Sequence, residues 1–169
     1  MTLLDAQHFF QRATRLAASQ SSGPPRQVDV RRAISDAYYG IFHATLAAAA
    51  DQFVGASKRS TSQYVLVYRS ISHGAIRELC SEVKRPTFSR LLVRHVPPGG
   101  FGLDLKAYAE GLLELQEKRI LADYDPQKRY RRLDAVAAIA AAQHALTQFK
   151  NTSDAEREAF LALLVFKPR

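Results

Sequence analysis

Apolar and polar positions alternate at helical spacing along almost the whole chain. Leu3, Ala6, Phe9 or Phe10, Ala13, Leu16 and Ala17 form one stripe, which predicts a first helix over about residues 3–19. Gln20-Ser21-Ser22-Gly23-Pro24-Pro25 reads as the loop that ends it. A second helix is expected from about Val28 to Phe53. Its segment 31–44 is nearly apolar all round, so this helix should be central. Ala33, Ala37, Gly40 and Ala44 would let a neighbour approach closely. After a polar turn at 54–59, Ser60 to Cys80 reads as a third helix, with Tyr64, Tyr68, Ile71, Ala75 and Leu79 inward. Residues 81–102 are the least regular, with a helix stop at Lys84-Arg85-Pro86, a short helical piece around Phe88, Leu91, Leu92 and Val93, and a loop through Pro97-Pro98-Gly99-Gly100. A fourth helix is expected over 103–123. A fifth should run from near Gln127 to Lys150, with Leu133, Val136, Ala137, Ala140 and His144 inward. Ser153 is the expected N-cap of an accessory C-terminal helix at about 152–166, with Phe160, Leu163 and Leu164 inward. No strand pattern survives. The fold class is therefore all-α: an antiparallel helical bundle of five or six helices, one domain over residues 1–169.

Charge breaks the apolar pattern in two places. Leu105, Tyr108, Leu112, Leu115, Arg119 and Ala122 are spaced three, four, three, four, three, so Arg119 stands where a leucine is expected. A guanidinium there must pair with an acid, line a wet groove or wait for an anion. Asp123, Tyr124 and Asp125 follow, and Asp125-Pro126 ends the helix because a residue before proline avoids the α region. In the second helix Arg32, Asp36, Tyr39 and His43 share one face. That face reads either as an internal hydrogen-bonded network or as the wall of a groove containing Arg119. Arg69 and His73, four apart, are expected to share a face of the third helix.

Composition narrows the partners. The 169 residues are 47% hydrophobic, enough for a sizeable core, and the net charge is +8. Positive charge concentrates in two stretches: Lys84, Arg85, Arg90, Arg94 and His95, and Lys128-Arg129-Tyr130-Arg131-Arg132. Such runs read as solvated faces or as phosphate-backbone contacts. Cations in the first turns of a helix oppose its macrodipole, so helix stability does not explain the second run. The single cysteine, Cys80, permits no intrachain disulfide and fits a reducing compartment. No apolar run is long enough for a membrane span and no signal-peptide pattern is present, so a cytoplasmic protein is expected. The scattered histidines give no metal-ligand spacing, and Gly99, Gly100 and Gly102 lack the strand and Lys-Ser/Thr of a phosphate loop. No metal or cofactor is expected. An arginine with a histidine or tyrosine suits metal-free chemistry at a phosphodiester, the arginine neutralising phosphate charge and an imidazole taking the ribose 2′-hydroxyl proton.

Two stretches together, Arg31-Arg32-Ala33-Ile34-Ser35-Asp36-Ala37-Tyr38-Tyr39-Gly40-Ile41-Phe42-His43 and Arg119-Ile120-Leu121-Ala122-Asp123-Tyr124-Asp125-Pro126, resemble the HEPN superfamily (higher eukaryotes and prokaryotes nucleotide-binding). Tyr68-Arg69-Ser70-Ile71-Ser72-His73-Gly74 is similar to a segment of its small stand-alone branch, and the likeness covers roughly residues 5–150. The resemblance implies a bundle with a four-helix core that forms a homodimer across a cleft. It also implies metal-independent endoribonuclease activity of a toxin–antitoxin or defence type. The family motif is an arginine, four to six residues, then a histidine. Arg119 matches the arginine, but Tyr124 stands after four intervening residues and no histidine occupies an allowed position. Tyrosine, with an unperturbed pKa of about 10, is a poor base at neutral pH. Either Tyr124 positions the substrate, or His43 or His73 supplies the base, or the chain does not cleave RNA. In related two-gene systems a nucleotidyltransferase modifies a tyrosine near this motif, which makes Tyr124 the counterpart here.

Two functions therefore compete. One is an RNA-directed protein that cleaves through a dimer cleft lined by Arg119, Tyr124, Asp36, Tyr39 and His43. The other is a non-catalytic adaptor, antitoxin or nucleotide-binding partner of a nucleotidyltransferase, in which Arg119 pairs with Asp36 and holds the bundle. A purely structural helical oligomer is a third.

Overall fold

Short polar side chains start several of the helices. Asp5 accepts a hydrogen bond from Gln7 N at 2.8 Å, Thr61 from Tyr64 N at 3.3 Å, Ser72 from Ala75 N at 3.1 Å and Ser153 from Glu156 N at 3.4 Å. The computed structural model describes residues 5–18 and 23–166. Its α-helices are α1 (Ala6–Ala17), α2 (Gln27–Phe53), α3 (Ser62–Ser70), α4 (His73–Val83), α5 (Leu103–Tyr124), α6 (Arg132–Asn151) and α7 (Asp154–Val165). Two single-turn 3-10 helices lie at Ala56–Lys58 and Val93–His95. There is no β-strand among the described residues. Leu3, the outer ends of the expected first helix and Gln20 to Ser22 of the loop after it lie outside those residues.

Three expectations are corrected. The helix expected over 60–80 is two helices, which gives seven α-helices among the described residues where five or six are expected. Ile71 is extended, with φ −93° and ψ 119°, and is buried, while Ser72 caps the new helix. A hydroxyl that can bond a nearby backbone N–H offers the chain an alternative to continuing the helix. The fifth helix was expected from Gln127, but α6 begins at Arg132. Asp125 Oδ1 accepts from Gln127 N at 2.9 Å and Lys128 N at 3.2 Å, holding a turn in place of a first helical turn. The inward stripe of α6 is also displaced: Leu133, Val136, Ala137, Ala140 and His144 are exposed, and Ala135, Ala138, Ile139, Ala142, Ala145, Leu146 and Phe149 are buried. Alanine on both faces gives almost no contrast in hydrophobicity, so the pattern could not fix the helix rotation.

Helix α2 is central and packs on α1, α3, α5, α6 and α7. Helices α1 and α5 run antiparallel to α2, because Arg12 meets Asp36 while Phe9 meets His43, and Arg31 meets Ala122 while Thr45 meets Tyr108. Gly40 makes the α1–α2 contact possible, since a Cβ there would lie 2.5 Å from Phe10 Cε1. Gly111 does the same for α5 and α6, against Ala145 Cβ at 2.9 Å. Tyr38, Tyr64, Tyr108, Phe10 and Phe160 are the largest fully buried side chains. Among the described residues no helix is long and apolar enough to cross a membrane.

Candidate functional site

The inward stripe of α5 carries Arg119 toward α2. Its neighbours on that stripe, Leu112, Leu115 and Ala122, are buried, and the Arg119 side chain keeps only 15% of its exposure. Arg119 Nη2 donates to Tyr39 Oη at 2.6 Å. Nε lies 2.9 Å from Asp123 Oδ2, one turn along α5, but its N–H does not point at the carboxylate, so this is a charge contact without an aligned hydrogen bond. Asp123 is held in turn by Ser35, whose hydroxyl donates to Oδ1 at 2.5 Å. The guanidinium carbon is 5.3 Å from the Tyr39 ring centroid and 5.9 Å from those of Tyr38 and Tyr124. Such contacts favour a cation that has lost part of its hydration. Nη1 has no hydrogen-bond partner among the described residues. Tyr124, the last residue of α5, is 71% exposed and forms the outer lip of the cluster.

Both histidines of interest join the same cluster. The helix break at Ser72 puts His73 in the first turn of α4, so it does not share a helix face with Arg69 as expected. Arg69 is exposed at the end of α3 and has no ion pair among the described residues. The His73 ring stacks on Phe42 with centroids 4.0 Å apart and lies 5.5 Å from Tyr38 and 6.0 Å from Tyr39. His43 stacks on Phe9 at 5.1 Å and bonds Tyr68 Oη through Nδ1 at 2.7 Å. Burial, and then the Arg119 charge, lowers the His73 pKa. Burial, and then His73, lowers that of His43. Both rings are neutral at pH 7.

The hydrogen-bond network also assigns the His73 tautomer. Tyr38 is wholly buried and burial raises its pKa, so it keeps its proton. The partner of its hydroxyl among the described residues is His73 Nδ1, at 2.7 Å. The hydroxyl therefore donates, Nδ1 accepts, and the ring proton sits on Nε2. In this form His73 offers an N–H to an anion and is not a free base. Gln116 Nε2 donates to the His73 carbonyl at 2.9 Å and ties α4 to α5.

The polar stripe of α2 divides between two neighbours. Asp36, with no exposed side-chain area, does not pair with Arg119. It is gripped by Arg12 of α1, through Nε and Nη2 at 2.6 Å each, and by Arg32 at 3.2 Å. Asp36 thus joins α1 to α2, with Arg32 pairing to it from within α2, while Tyr39 and His43 face the Arg119 cluster. Arg12 was not singled out from the sequence, since its stripe reads as polar surface. Arg31 and Gln27 were also passed over as site residues. Arg31 donates to the carbonyls of Ala122 and Asp125 at 2.8 Å each and to that of Lys128, closing the C-terminal end of α5. Of the basic candidates, Lys84 pairs with Glu110 at 3.0 Å and Arg85 pairs with Glu82. Arg94 is exposed in the 93–95 turn. Lys128, Arg129, Arg131 and Arg132 are exposed at and just before the start of α6. No cluster of three or more candidate metal ligands occurs among the described residues. No family model, curated protein or solved structure matches the chain.

Proposed function

We propose that this chain is a HEPN-like, RNA-directed protein whose centre grips a phosphodiester with Arg119 and the Nε2–H of His73, acting as a homodimer of toxin or defence type. The observation that carries this reading is the Arg119 guanidinium itself. It is drawn to the inner side of α5 by Tyr39, retains 15% exposure and keeps Nη1 without a hydrogen-bond partner among the described residues. A fixed cation beside a neutral N–H donor opposes charge that gathers on phosphate oxygens as a 2′-hydroxyl attacks. Neither group needs a metal for this. The chemistry such a centre supports is endoribonuclease cleavage to a 2′,3′-cyclic phosphate, with His43 as the remaining imidazole for proton transfer.

One observation favours the non-catalytic alternative, an adaptor, antitoxin or nucleotide-binding partner of a nucleotidyltransferase. No imidazole of the cluster has an unengaged Nδ1, and Tyr124 occupies the motif position. Incubating RNA with the wild-type protein in EDTA and resolving the product ends separates the two. Cleavage that disappears in a well-folded Arg119→Ala variant is the expected result. Unchanged cleavage by that variant sinks the Arg119 reading. RNA binding without any cleavage selects the non-catalytic one.

A further inference from the structure

The strap between α5 and α6, residues 125–131, has its backbone held from below. Arg31 takes the carbonyls of Asp125 and Lys128, and its guanidinium carbon lies 5.6 Å from the Tyr130 ring centroid. The Gln27 amide makes a pair of hydrogen bonds to the Tyr130 backbone: Nε2 donates to Tyr130 O at 2.6 Å and Oε1 accepts from Tyr130 N at 3.1 Å. Asp125 is occupied by the N–H groups of Gln127 and Lys128. The carbonyls of Asp125, Lys128 and Tyr130 are thus turned in toward α2, and Tyr130 is buried. Lys128, Arg129 and Arg131 are left exposed, with no ion pair among the described residues. In the other basic stretch Lys84 and Arg85 are each neutralised by an acid.

We propose that this strap is a preformed phosphate-backbone subsite for a polynucleotide, braced by Arg31 and Gln27, and that Tyr124 beside it supplies a face for an unstacked base. The proposal rests on the reading that RNA engages Arg119. Lys128, Arg129 and Arg131 neutralise successive phosphates, and the brace removes the ordering cost that a free loop would bear. Tyr124 decides for a polynucleotide over an acidic protein. Arg119 lies 5.9 Å from its ring centroid and Tyr124 is 71% exposed, which suits a π-face open to a base and serves no carboxylate. The groove beside the strap also contains Glu114, Glu117 and Asp134, so the phosphates follow its outer rim.

The probe is a short labelled 2′-O-methyl oligoribonucleotide, which 2′-hydroxyl attack cannot cleave. Three phosphate contacts on a single strand give a log–log salt slope of about −2, roughly a 20-fold loss of affinity from about 50 to 200 mM salt. The combined Lys128→Ala, Arg129→Ala, Arg131→Ala variant should lose that part of the slope, with its melting temperature unchanged. Lys84→Ala with Arg85→Ala should bind as wild type. Arg31→Lys should bind as weakly as Arg31→Met, because a compact ammonium cannot span three carbonyls. Rescue by lysine would overturn the brace, since Arg31 would then act by charge alone. Tyr124→Ala should weaken the oligonucleotide and leave heparin, which has no bases, unaffected. Absence of wild-type binding, an unchanged strap variant or an equal loss from the Lys84/Arg85 pair overturns the proposal. So does polyglutamate bound as well as the oligonucleotide. Strap-dependent binding without cleavage of ordinary RNA would defeat only the nuclease reading. Arg119-dependent cleavage with normal binding by the strap variants would defeat only the strap.

Discussion

Replacing Arg12 with alanine is the sharpest test of how the α2 polar stripe is satisfied. Asp36 has no exposed side-chain area and receives two bonds of 2.6 Å from Arg12, with Arg32 adding a contact at 3.2 Å. A charge-assisted hydrogen bond contributes about 1.5–3 kcal/mol, so two aligned ones set an upper range of about 3–6 kcal/mol. The Arg12 side chain is 44% exposed and Arg32 remains after the substitution, so screening and residual pairing reduce this to about 2–3 kcal/mol. For a chain of this size that is a fall in Tm of roughly 5–10 °C. The assay is urea unfolding of Arg12→Ala, Asp36→Ala and the double variant, from which the coupling energy is taken. The expected coupling is about 2 kcal/mol, while the same cycle between Arg119 and Asp36 should stay within about 0.5 kcal/mol. An Arg12→Ala cost below about 1 kcal/mol, or a larger coupling of Asp36 to Arg119, refutes this assignment of the buried carboxylate.

Two further outcomes follow from the cluster and the helix contacts. His43 and His73 have folded-state pKa values below the ordinary 6.5, so the unfolded chain takes up protons at a higher pH than the folded one. Stability is then fully present above the unfolded value and falls as pH drops through it toward the folded values. Thermal melts should show Tm declining between about pH 7 and pH 5, and the decline should shrink in a His43→Asn, His73→Asn variant. A wild-type Tm that is flat over that window contradicts the buried, neutral rings. Gly40→Ala drives a methyl against the buried Phe10 ring, where the Cβ would lie 2.5 Å from Cε1. Overpacking of about 1–3 kcal/mol should outweigh the helix propensity gained, read as a lower urea midpoint. A more stable Gly40→Ala protein would mean that α1 and α2 do not meet as described.

The sequence alone determined that this is a helical protein, that α2 lies at its centre and that Arg119 turns inward. Those conclusions rest on periodicity with strong contrast: a charged residue among leucines is visible in any order of packing. Where contrast vanished, only the tertiary structure decided. The alanine-rich α6 has no sequence cue to its rotation, and its buried face is fixed by Gly111 against Ala145 and by Phe149 against Tyr108. The break at Ile71-Ser72 depends on a buried isoleucine and a capping hydroxyl, and it decides that His73 joins Arg119 while Arg69 does not. Partners distant in the chain were equally out of reach. Asp36 is bound by Arg12, 24 residues away, and Arg31 reaches carbonyls 91 to 97 residues away. Local pattern encodes which face of a helix is apolar, but the choice among several arginines for one carboxylate, or among several carbonyls for one guanidinium, is made by proximity after the helices have packed.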